Sequence, residues 1–448
     1  MRLTAYLNGR RVGWFDQRDG GSITLEYDRA WQAGPDRTEL SWSLPKSRRT
    51  HGGAAPGNYL WNLLPDNSEV VERWGRRFGV SPRNPLGLLA NVGLDAAGAV
   101  QLVDSEQHDD LELTGDGGVE PVSDAEIAEH LRELRRDPSA WVTRGDDNGY
   151  FSLAGAQAKF TLVRTARGWG VATGRAASTH IVKPGITGLT RSDLNEHLTL
   201  RAAEMLGLRV ARSTVAMFED ESAIVVERFD RARAADGTIV RLHQEDFAQA
   251  LGVHPSVKYQ NDGGPGIAVI GAALRDALGL GADAAIERFF EAALFNWAAL
   301  GTDAHAKNYA RVHRDPRRRA VELAPLYDLG SALAYPEINN RKAKLAMSFA
   351  GHYRTFEIEP RHLVREGAGL GLLEDWVIER ARHLAAALPD ALRSAAAEAA
   401  LAGEAADFAD SLVEHTSERS RQLRSQLDHH RPSTKSPPSH REGECRHV

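Results

Sequence analysis

The sequence predicts an α+β fold with two lobes, in which a mixed α/β N-terminal lobe with an extra N-terminal subdomain precedes a mainly helical C-terminal lobe. Three observations favour this fold class. The first 45 residues show strand-like alternation of apolar side chains. Residues 286–300 carry an apolar stripe at helical spacing, and residues 391–402 are rich in alanine. At 448 residues the chain exceeds one ordinary core, so two or three domains are expected.

Composition limits the classes of function. Hydrophobic residues make up 42% and charged residues 26%, which is typical of a globular protein. With 55 basic and 61 acidic residues the net charge is -6, so there is no basic field to hold nucleic acid and direct DNA binding by this chain alone is disfavoured. The single cysteine, Cys445, excludes a disulfide framework and a cysteine metal site. No apolar run reaches the roughly 18 residues of a membrane span, and we expect a cytoplasmic protein with no membrane partner.

The N-terminal subdomain begins with a predicted hairpin. Alternating apolar residues lead up to Asn8-Gly9, a favoured two-residue turn, and resume at Val12. Helical spacing then runs through residues 58–80, where Pro65 is expected to separate two helices. A further helix is predicted over 82–91.

A turn of small residues follows a linker at 104–119 and a helix whose capping box starts at Ser123. The turn occupies residues 151–159 and leads into a strand over 160–163. Successive backbone N–H groups in such a turn can cradle a phosphate, although a tight hairpin that uses glycine for its geometry explains the pattern too. The candidate phosphate-binding residues are Ala154, Gly155, Ala156, Gln157, Ala158 and Lys159.

The next strand ends on Lys183, where the lysine of the kinase V-A-I-K motif also lies. A solvated lysine at a strand end is the alternative. Thr190 is predicted to cap the following helix, with Asp193 at the capping-box position. On that helix either Glu196 or Glu204 can reach back to Lys183, and we prefer Glu196.

A strongly apolar strand over 222–229 turns polar at its end. In a two-lobed kinase the segment that leaves the last strand of the small lobe is the hinge, whose backbone binds the adenine edge. The candidate hinge residues are Glu227, Arg228 and Phe229. Short helices are predicted over 244–251 and from Ile267.

The clearest helix carries its apolar stripe over 286–300 and is expected to stop at Gly301. Asp303 and Asn308 follow at the spacing of the kinase catalytic loop, H-R-D-x-x-x-x-N. A predicted hairpin over 309–324 then leads to Tyr327 and to an Asp328-Leu-Gly triplet. This triplet lies where kinases place the metal ligand of D-F-G.

Transfer of a phosphoryl group needs its charge neutralised and its nucleophile aligned. In this interpretation the small-residue turn and Lys183 hold phosphates, while Asn308 and Asp328 offer oxygen ligands to Mg²⁺. Asp303 accepts the proton of the attacking hydroxyl. His305 and Lys307 lie inside the loop and are candidates to steady the transferred phosphate, but His305 fits equally well as a hydrogen-bonded loop anchor. Tyr327 is also a candidate nucleotide-binding residue.

Seven motifs together resemble one known family, the HipA family of toxin kinases, over roughly residues 1–400. They are LPDN at 64–67, SLAGAQxK at 152–159, HIVKP at 180–184, ERFD at 227–230, QEDF at 244–247, TDxHxKN at 302–308 and LYD at 326–328. The resemblance implies a two-lobed protein-kinase-like fold and a serine/threonine kinase toxin of a type II toxin-antitoxin pair, which uses ATP and Mg²⁺.

The resemblance also implies roles for single residues. Asp303 matches the catalytic base, Asn308 and Asp328 the magnesium ligands, Lys183 the phosphate lysine, and 227–229 the hinge. Ser152 matches a serine that family members phosphorylate on themselves, and the added charge should expel the turn from the nucleotide site.

The resemblance further implies partners: a small helix-turn-helix antitoxin, HipB-like, and a protein substrate such as glutamyl-tRNA synthetase, an aminoacyl-tRNA synthetase. The predicted domains are an N-terminal subdomain over 1–145, the nucleotide-binding part over 146–229, the helical lobe over 230–425 and a disordered tail over 426–448. Two alternatives stay open: a kinase of this fold with another protein or a small-molecule acceptor, and a non-catalytic corepressor.

Overall fold

The structure is a computed structural model, and it describes residues 1–18, 20–36, 38–106, 117–141, 151–315, 320–335, 338–339 and 342–430. The predictions for Cys445, for most of the 104–119 linker and for the tail beyond residue 430 lie outside these ranges.

The strands are numbered in chain order. They are β1 (Arg2–Leu7), β2 (Arg10–Gln17), β3 (Ile23–Tyr27), β4 (Thr50–His51), β5 (Val100–Asp104), β6 (Gly118–Val122), β7 (Phe160–Thr165), β8 (Gly168–Thr173), β9 (His180–Pro184), β10 (Ser213–Phe218), β11 (Glu221–Glu227), β12 (Arg231–Arg233), β13 (Ile239–Arg241), β14 (Gln244–Asp246), β15 (Ala310–Asp315), β16 (Ala320–Leu323), β17 (Lys344–Phe349) and β18 (His352–Arg354).

The α-helices are numbered in the same way. They are α1 (Arg29–Ala33), α2 (Ala55–Trp61), α3 (Ser68–Phe78), α4 (Pro85–Val92), α5 (Asp124–Arg136), α6 (Ser192–Met205), α7 (Phe247–Ala250), α8 (Ile267–Leu278), α9 (Ala282–Ala299), α10 (Pro360–Gly369), α11 (Glu374–Glu398) and α12 (Glu404–Asp428). Within the described ranges, none of them is both long and apolar enough to cross a membrane.

The N-terminal subdomain is an antiparallel sheet in the order β4-β3-β2-β1-β5, packed against α2 to α4. The predicted hairpin is confirmed, because Asn8 and Gly9 have φ values of 49° and 79° between β1 and β2. Two positive φ angles in succession give the turn whose twist matches that of the paired strands. Pro65 separates α2 from α3, as predicted.

A second antiparallel sheet has the order β10-β11-β9-β7-β8-β6. One of its two edge strands is β6, which pairs with β8, although the predicted boundary at residue 145 assigns that stretch to the N-terminal subdomain. Helix α5 starts with the predicted capping box between Ser123 and Glu126. It contacts β9, β10 and β11, so it also belongs with the second sheet.

The C-terminal lobe is built around α9, which packs against α8 and α11. Every member of the predicted apolar stripe is buried: Ile286, Phe289, Phe290, Ala293, Leu294, Trp297 and Leu300. The helix ends because Leu300 turns left-handed at φ 56°. At the next position a Cβ would lie 2.1 Å from the side-chain oxygen of Asn296, so only Gly301 fits there. This end fixes where the following loop begins.

Several local predictions are corrected by the structure. The cap of α6 is Arg191 at φ 48° with no side-chain hydrogen bond, and it is not Thr190. Residues Gln244–Asp246 form β14 and only the following four residues form α7, because strand pairing with β15 overrides the helical spacing. Helix α12 continues to Asp428, three residues into the predicted tail.

Candidate active site

A cleft of about 650 Å³ lies between the second sheet and the C-terminal lobe. The predicted catalytic and nucleotide-binding residues line it, with one exception among them. Ala158 packs into the N-terminal core and is 8% exposed, so it does not face the cleft. Residues separated by almost 180 positions, such as Ala154 and Asp328, therefore meet around one cavity.

Lys183 lies at the centre of the cleft between two carboxylates. Its Nζ is 2.8 Å from Glu196 Oε1 and 2.8 Å from Asp328 Oδ1. Glu204 is exposed and is paired with Arg201, which settles the choice between the two glutamates. A strand lysine held by a helix glutamate is the arrangement that positions the phosphate-binding lysine in protein kinases.

Lys183, Glu196 and Asp328 shift one another's pKa values. Burial lowers the pKa of Lys183, but Asp328 and Glu196 outweigh it and raise the pKa above the ordinary lysine range. Burial would raise the pKa of Asp328, yet the ammonium groups of Lys183 and Lys159 hold it well below its usual range. Burial raises the pKa of Glu196, partly offset by Lys183. Asp328 has φ 58°, a strained conformation of the kind that clusters at functional sites.

The loop after α9 presents Asp303 to solvent at the mouth of the cleft, with 64% of its side chain exposed. The phenol of Tyr259 donates a hydrogen bond to Asp303 Oδ1. The Asn308 amide donates to the Asp303 backbone carbonyl over 2.8 Å, which closes the loop. Desolvation by the cleft walls raises the pKa of Asp303, the Tyr259 hydrogen bond lowers it, and the net direction is upward. A carboxylate of raised pKa is suited to accept a proton.

His305 is buried beneath this loop, with its ring edge-on to Tyr259 at 4.8 Å between centroids. Burial, and then the charge of Lys258, lower the pKa of His305 to about 4. The imidazole is therefore neutral near pH 7. A neutral imidazole can steady a phosphate as a hydrogen-bond donor.

Lys307 does not point freely into the cavity. Its Nζ is 2.6 Å from Asp66 Oδ1, and Lys258 Nζ is 2.7 Å from Asp66 Oδ2. Burial would raise the pKa of Asp66, but Lys307 and Lys258 lower it to about 2. The Asp66 carboxylate, which belongs to the N-terminal subdomain, is thus ionised near neutral pH.

The small-residue turn wraps over the same space. Gly155 has φ 106°, a backbone conformation that L side chains rarely adopt, so the turn favours glycine at this position. Lys159 donates to the Ala154 carbonyl over 2.8 Å, and burial and then Lys183 lower its pKa to about 8. Ser152 is fully buried, and its hydroxyl donates to the Leu63 carbonyl over 2.7 Å.

The predicted hinge borders the cleft, but one of its side chains has a different task. The Arg228 guanidinium is 1% exposed and pairs with Asp95 and Asp230. Its charge is therefore used inside the protein, and the hinge prediction at this position concerns the Arg228 backbone, which borders the cleft. Phe229 stacks on Tyr327 with ring centroids 5.4 Å apart, and Tyr327 donates to the Lys307 carbonyl over 2.7 Å.

The side-chain oxygens of Asn308 and Asp328 fit a hard cation such as Mg²⁺. The Asn308 NH₂ group is used on the loop, which leaves its carbonyl oxygen, and Lys183 occupies only one oxygen of Asp328. Among the residues that the structure describes, no cluster of three or more His, Cys, Asp or Glu could hold a metal by itself. Mg²⁺ is commonly held by one or two protein oxygens together with substrate phosphates, which is what Asn308 and Asp328 could supply.

Sequence reasoning assigned no role to several side chains that line this cleft. Asp66 and Asp246 lie in two of the seven motifs, whereas Lys258 and Tyr259 lie in none. The nearest sequence signal for this last pair is the Gly-Gly-Pro-Gly break at 263–266. The Gly264 N–H donates to the Tyr259 carbonyl, which helps to fix this segment beside the catalytic loop.

A two-lobed architecture with the cleft between the lobes is that of the protein-kinase-like proteins. Two family models match this chain: the HipA N-terminal domain over residues 3–103 and the HipA-like C-terminal domain over residues 151–401. The chain belongs to the HipA family.

Relatives of known name support the same assignment. A putative kinase Y4mE of Sinorhizobium fredii is 34% identical over 378 residues, covering 83% of this chain and 86% of the relative. The serine/threonine-protein kinase toxin HipA of Shewanella oneidensis is 30% identical over 345 residues, covering 75% and 76%. A chain in the solved complex of the Shewanella oneidensis toxin-antitoxin system HipA, HipB and operator DNA superposes with a TM-score of 0.81 at 26% identity, covering 95% and 98%.

Proposed function

We propose that this chain is an ATP-dependent serine/threonine protein kinase and the toxin of a type II toxin-antitoxin pair. The observation that carries the proposal is Lys183, which lies between Glu196 and Asp328 on the wall of the cleft that Asp303 also lines. This arrangement provides a cation for phosphate, an oxygen ligand for a metal and a base for the acceptor hydroxyl.

Each residue has a defined task in this proposal. Lys183, Lys159 and the backbone of the small-residue turn hold the phosphates. Asp303 takes the proton from the attacking serine hydroxyl as that oxygen bonds to the γ-phosphorus of ATP, and ADP leaves. Mg²⁺, held by Asn308 and Asp328, would neutralise charge on the phosphates when bound. Because the N–H groups of Glu227 and Arg228 already donate to Arg212 and Thr179, the Glu227 carbonyl and the Phe229 backbone are the hinge groups for adenine.

Self-phosphorylation at Ser152 requires the turn to move. The Ser152 hydroxyl is buried against Leu63 and cannot reach the cleft in the conformation described here. Phosphorylation would place nearly two negative charges in a buried site, so the phosphorylated turn would stay outside and the kinase would be switched off.

The proposed partners follow from the relatives. The complex of HipA, HipB and operator DNA supports a HipB-like antitoxin that makes the DNA contacts, in keeping with the net charge of -6 on this chain. The proposed acceptor is a serine in a protein of the translation machinery, for which glutamyl-tRNA synthetase is the first candidate.

The test is to incubate purified wild-type and Asp303→Asn protein with γ-labelled ATP and Mg²⁺, with and without cell extract, and to identify every labelled band by mass spectrometry. We expect label on Ser152 and on one extract protein, and we expect both to disappear in the variant. Absence of label from both samples would overturn the proposal and favour the corepressor alternative.

A further inference from the structure

Asp66 connects three parts of the cleft that lie far apart in sequence. It lies between α2 and α3 in the N-terminal subdomain, and its backbone N–H donates to the Gly155 carbonyl in the small-residue turn over 3.0 Å. Its carboxylate binds Lys307 of the catalytic loop and Lys258 of the segment before α8. One residue therefore joins the N-terminal subdomain, the turn and the C-terminal lobe.

This carboxylate restricts both lysines. A lysine has a flexible four-carbon stem, so its ammonium is poorly placed unless a partner holds it. The side chains of Lys307, Lys258 and Asp66 are 3%, 14% and 9% exposed, and each ammonium meets a different oxygen of the same carboxylate. Each ammonium has three N–H donors and uses one on Asp66, which leaves donors for a phosphate oxygen.

A contribution to stability alone does not explain why Asp66, Lys258 and Lys307 are placed together. A buried ion pair often adds nothing over well-packed apolar side chains of the same volume, because desolvation of the charges offsets their attraction. All three side chains also line the cavity where the phosphates would lie. The geometry therefore fits a task in positioning.

We propose that Asp66 is a positioning residue of the phosphate-transfer site, which aims Lys307 and Lys258 at the transferred phosphate and holds the small-residue turn above them. The N-terminal subdomain is then part of the active site. This inference rests on the proposed kinase function.

The first test is the kinetics of Asp66→Asn, which keeps the backbone contact to Gly155 and removes the charge. We expect kcat to fall by about 10- to 100-fold, the cost of a slightly misplaced reacting group, while KM for ATP does not rise. Asp66→Glu keeps the charge and should recover part of kcat. Glu69→Gln, an exposed carboxylate in the first turn of α3, is the matched control and should match the wild type.

A double variant separates positioning from general damage. If Asp66 acts through Lys307, then Asp66→Asn added to Lys307→Met should lower kcat by less than about threefold further, because residues that act as a unit are not additive. Wild-type kcat in Asp66→Asn, or multiplicative losses in the double variant, would overturn the inference.

Hydrogen exchange provides a readout that does not need activity. Without nucleotide, Asp66→Asn should exchange faster than Glu69→Gln at 255–262 and 303–309, and unchanged exchange there would also overturn the inference. A wild-type protein that transfers no phosphate would contradict the proposed function, and the exchange result would still decide whether Asp66 holds these two segments.

Discussion

Two clusters of charged residues lie at the cleft, and they differ in what their charges face. The sealed cluster consists of Asp95, Arg228, Asp230, Arg231 and Arg241, whose side chains are between 1% and 10% exposed. The cleft cluster consists of Asp66, Lys183, Glu196, Lys258, Asp303, Lys307 and Asp328, which line the cavity. Arg228 and Asp230 of the sealed cluster border the same cavity, but their charged groups pair with each other inside the protein. In the sealed cluster the guanidinium groups of Arg228 and Arg231 also bind backbone carbonyls and Ser178, so the hydrogen-bonding capacity of these two arginines is used inside the protein.

The pKa values separate the two clusters further. In the sealed cluster burial would raise the pKa values of both carboxyls, but the surrounding arginines lower that of Asp95 and bring that of Asp230 to about 2. In the cleft cluster the pKa of Asp303 is raised while those of Asp66 and Asp328 are lowered. Carboxyls whose pKa values are driven apart within one cavity are the pattern that the proposed acid–base role of Asp303 requires, and the uniform lowering in the sealed cluster matches its pairing with arginines.

The largest expected effect comes from the cleft cluster. Asp303→Asn and Asp328→Asn should each lower phosphate transfer by about 10³-fold or more, because each removes a group that acts directly on the reacting atoms. Asn tolerates the positive φ of residue 328, so circular dichroism should report an intact fold. Retention of a tenth of the wild-type rate by either variant would remove that residue from the proposed chemistry.

The sealed cluster should respond in stability. Arg228→Met leaves Asp95 and Asp230 with less positive charge in a buried site, and we expect the free energy of unfolding to fall by about 3–5 kcal/mol. Urea unfolding measures this loss. Arg233→Met, at an exposed arginine of β12, is the control and should change stability by less than about 0.5 kcal/mol. A stable but inactive Arg228→Met protein would break the distinction between the clusters.

Asp246, which also lines the cavity, allows the comparison to be tested through the pH dependence of stability. Burial raises the pKa of Asp246 from 3.8 to about 7, although the charge of Lys307 and the hydrogen bond from the Gln249 N–H each lower it. Between pH 3.8 and about pH 7 the folded state holds a proton on Asp246 that the unfolded state has released. The free energy of unfolding therefore falls as pH rises, by up to ~1.4 kcal/mol per pH unit. Above about pH 7 this contribution no longer changes with pH.

Asp246→Asn keeps a good N-cap for α7 and removes this titration. From pH 5 to pH 8 the free energy of unfolding, measured in urea, should therefore fall by about 2.5 kcal/mol less in the variant than in the wild type. An equal difference in both proteins would mean that Asp246 is ionised across this range.

The smallest effect is expected at Tyr259, which contacts Asp303 without touching the reacting atoms. Tyr259→Phe removes the hydrogen bond that orients the carboxylate. We expect kcat to fall by about tenfold, equivalent to one hydrogen bond to a charged group, with KM for ATP unchanged. A wild-type kcat would show that the loop alone orients Asp303.

The sequence predicted much of the local structure, because the relevant signals lie in contiguous residues. The Asn8-Gly9 turn, the Ser123 capping box and the stripe of α9 were each predictable from spacing and turn chemistry over a few positions. The same local reasoning was wrong at Thr190, and at Gln244–Asp246, where pairing with a strand about 65 residues later decided the conformation.

The sequence by itself determined which chemical groups this protein has and in what order along the chain they occur. Only the tertiary structure decided which of them meet: Lys183 with Glu196 and not Glu204, Arg228 with Asp95 in the interior, and Asp66 with Lys307. The physical reason is that a turn or a cap is stabilised by its immediate neighbours, whereas an ion pair across 241 positions forms only when the packing of both lobes brings its partners within 3 Å.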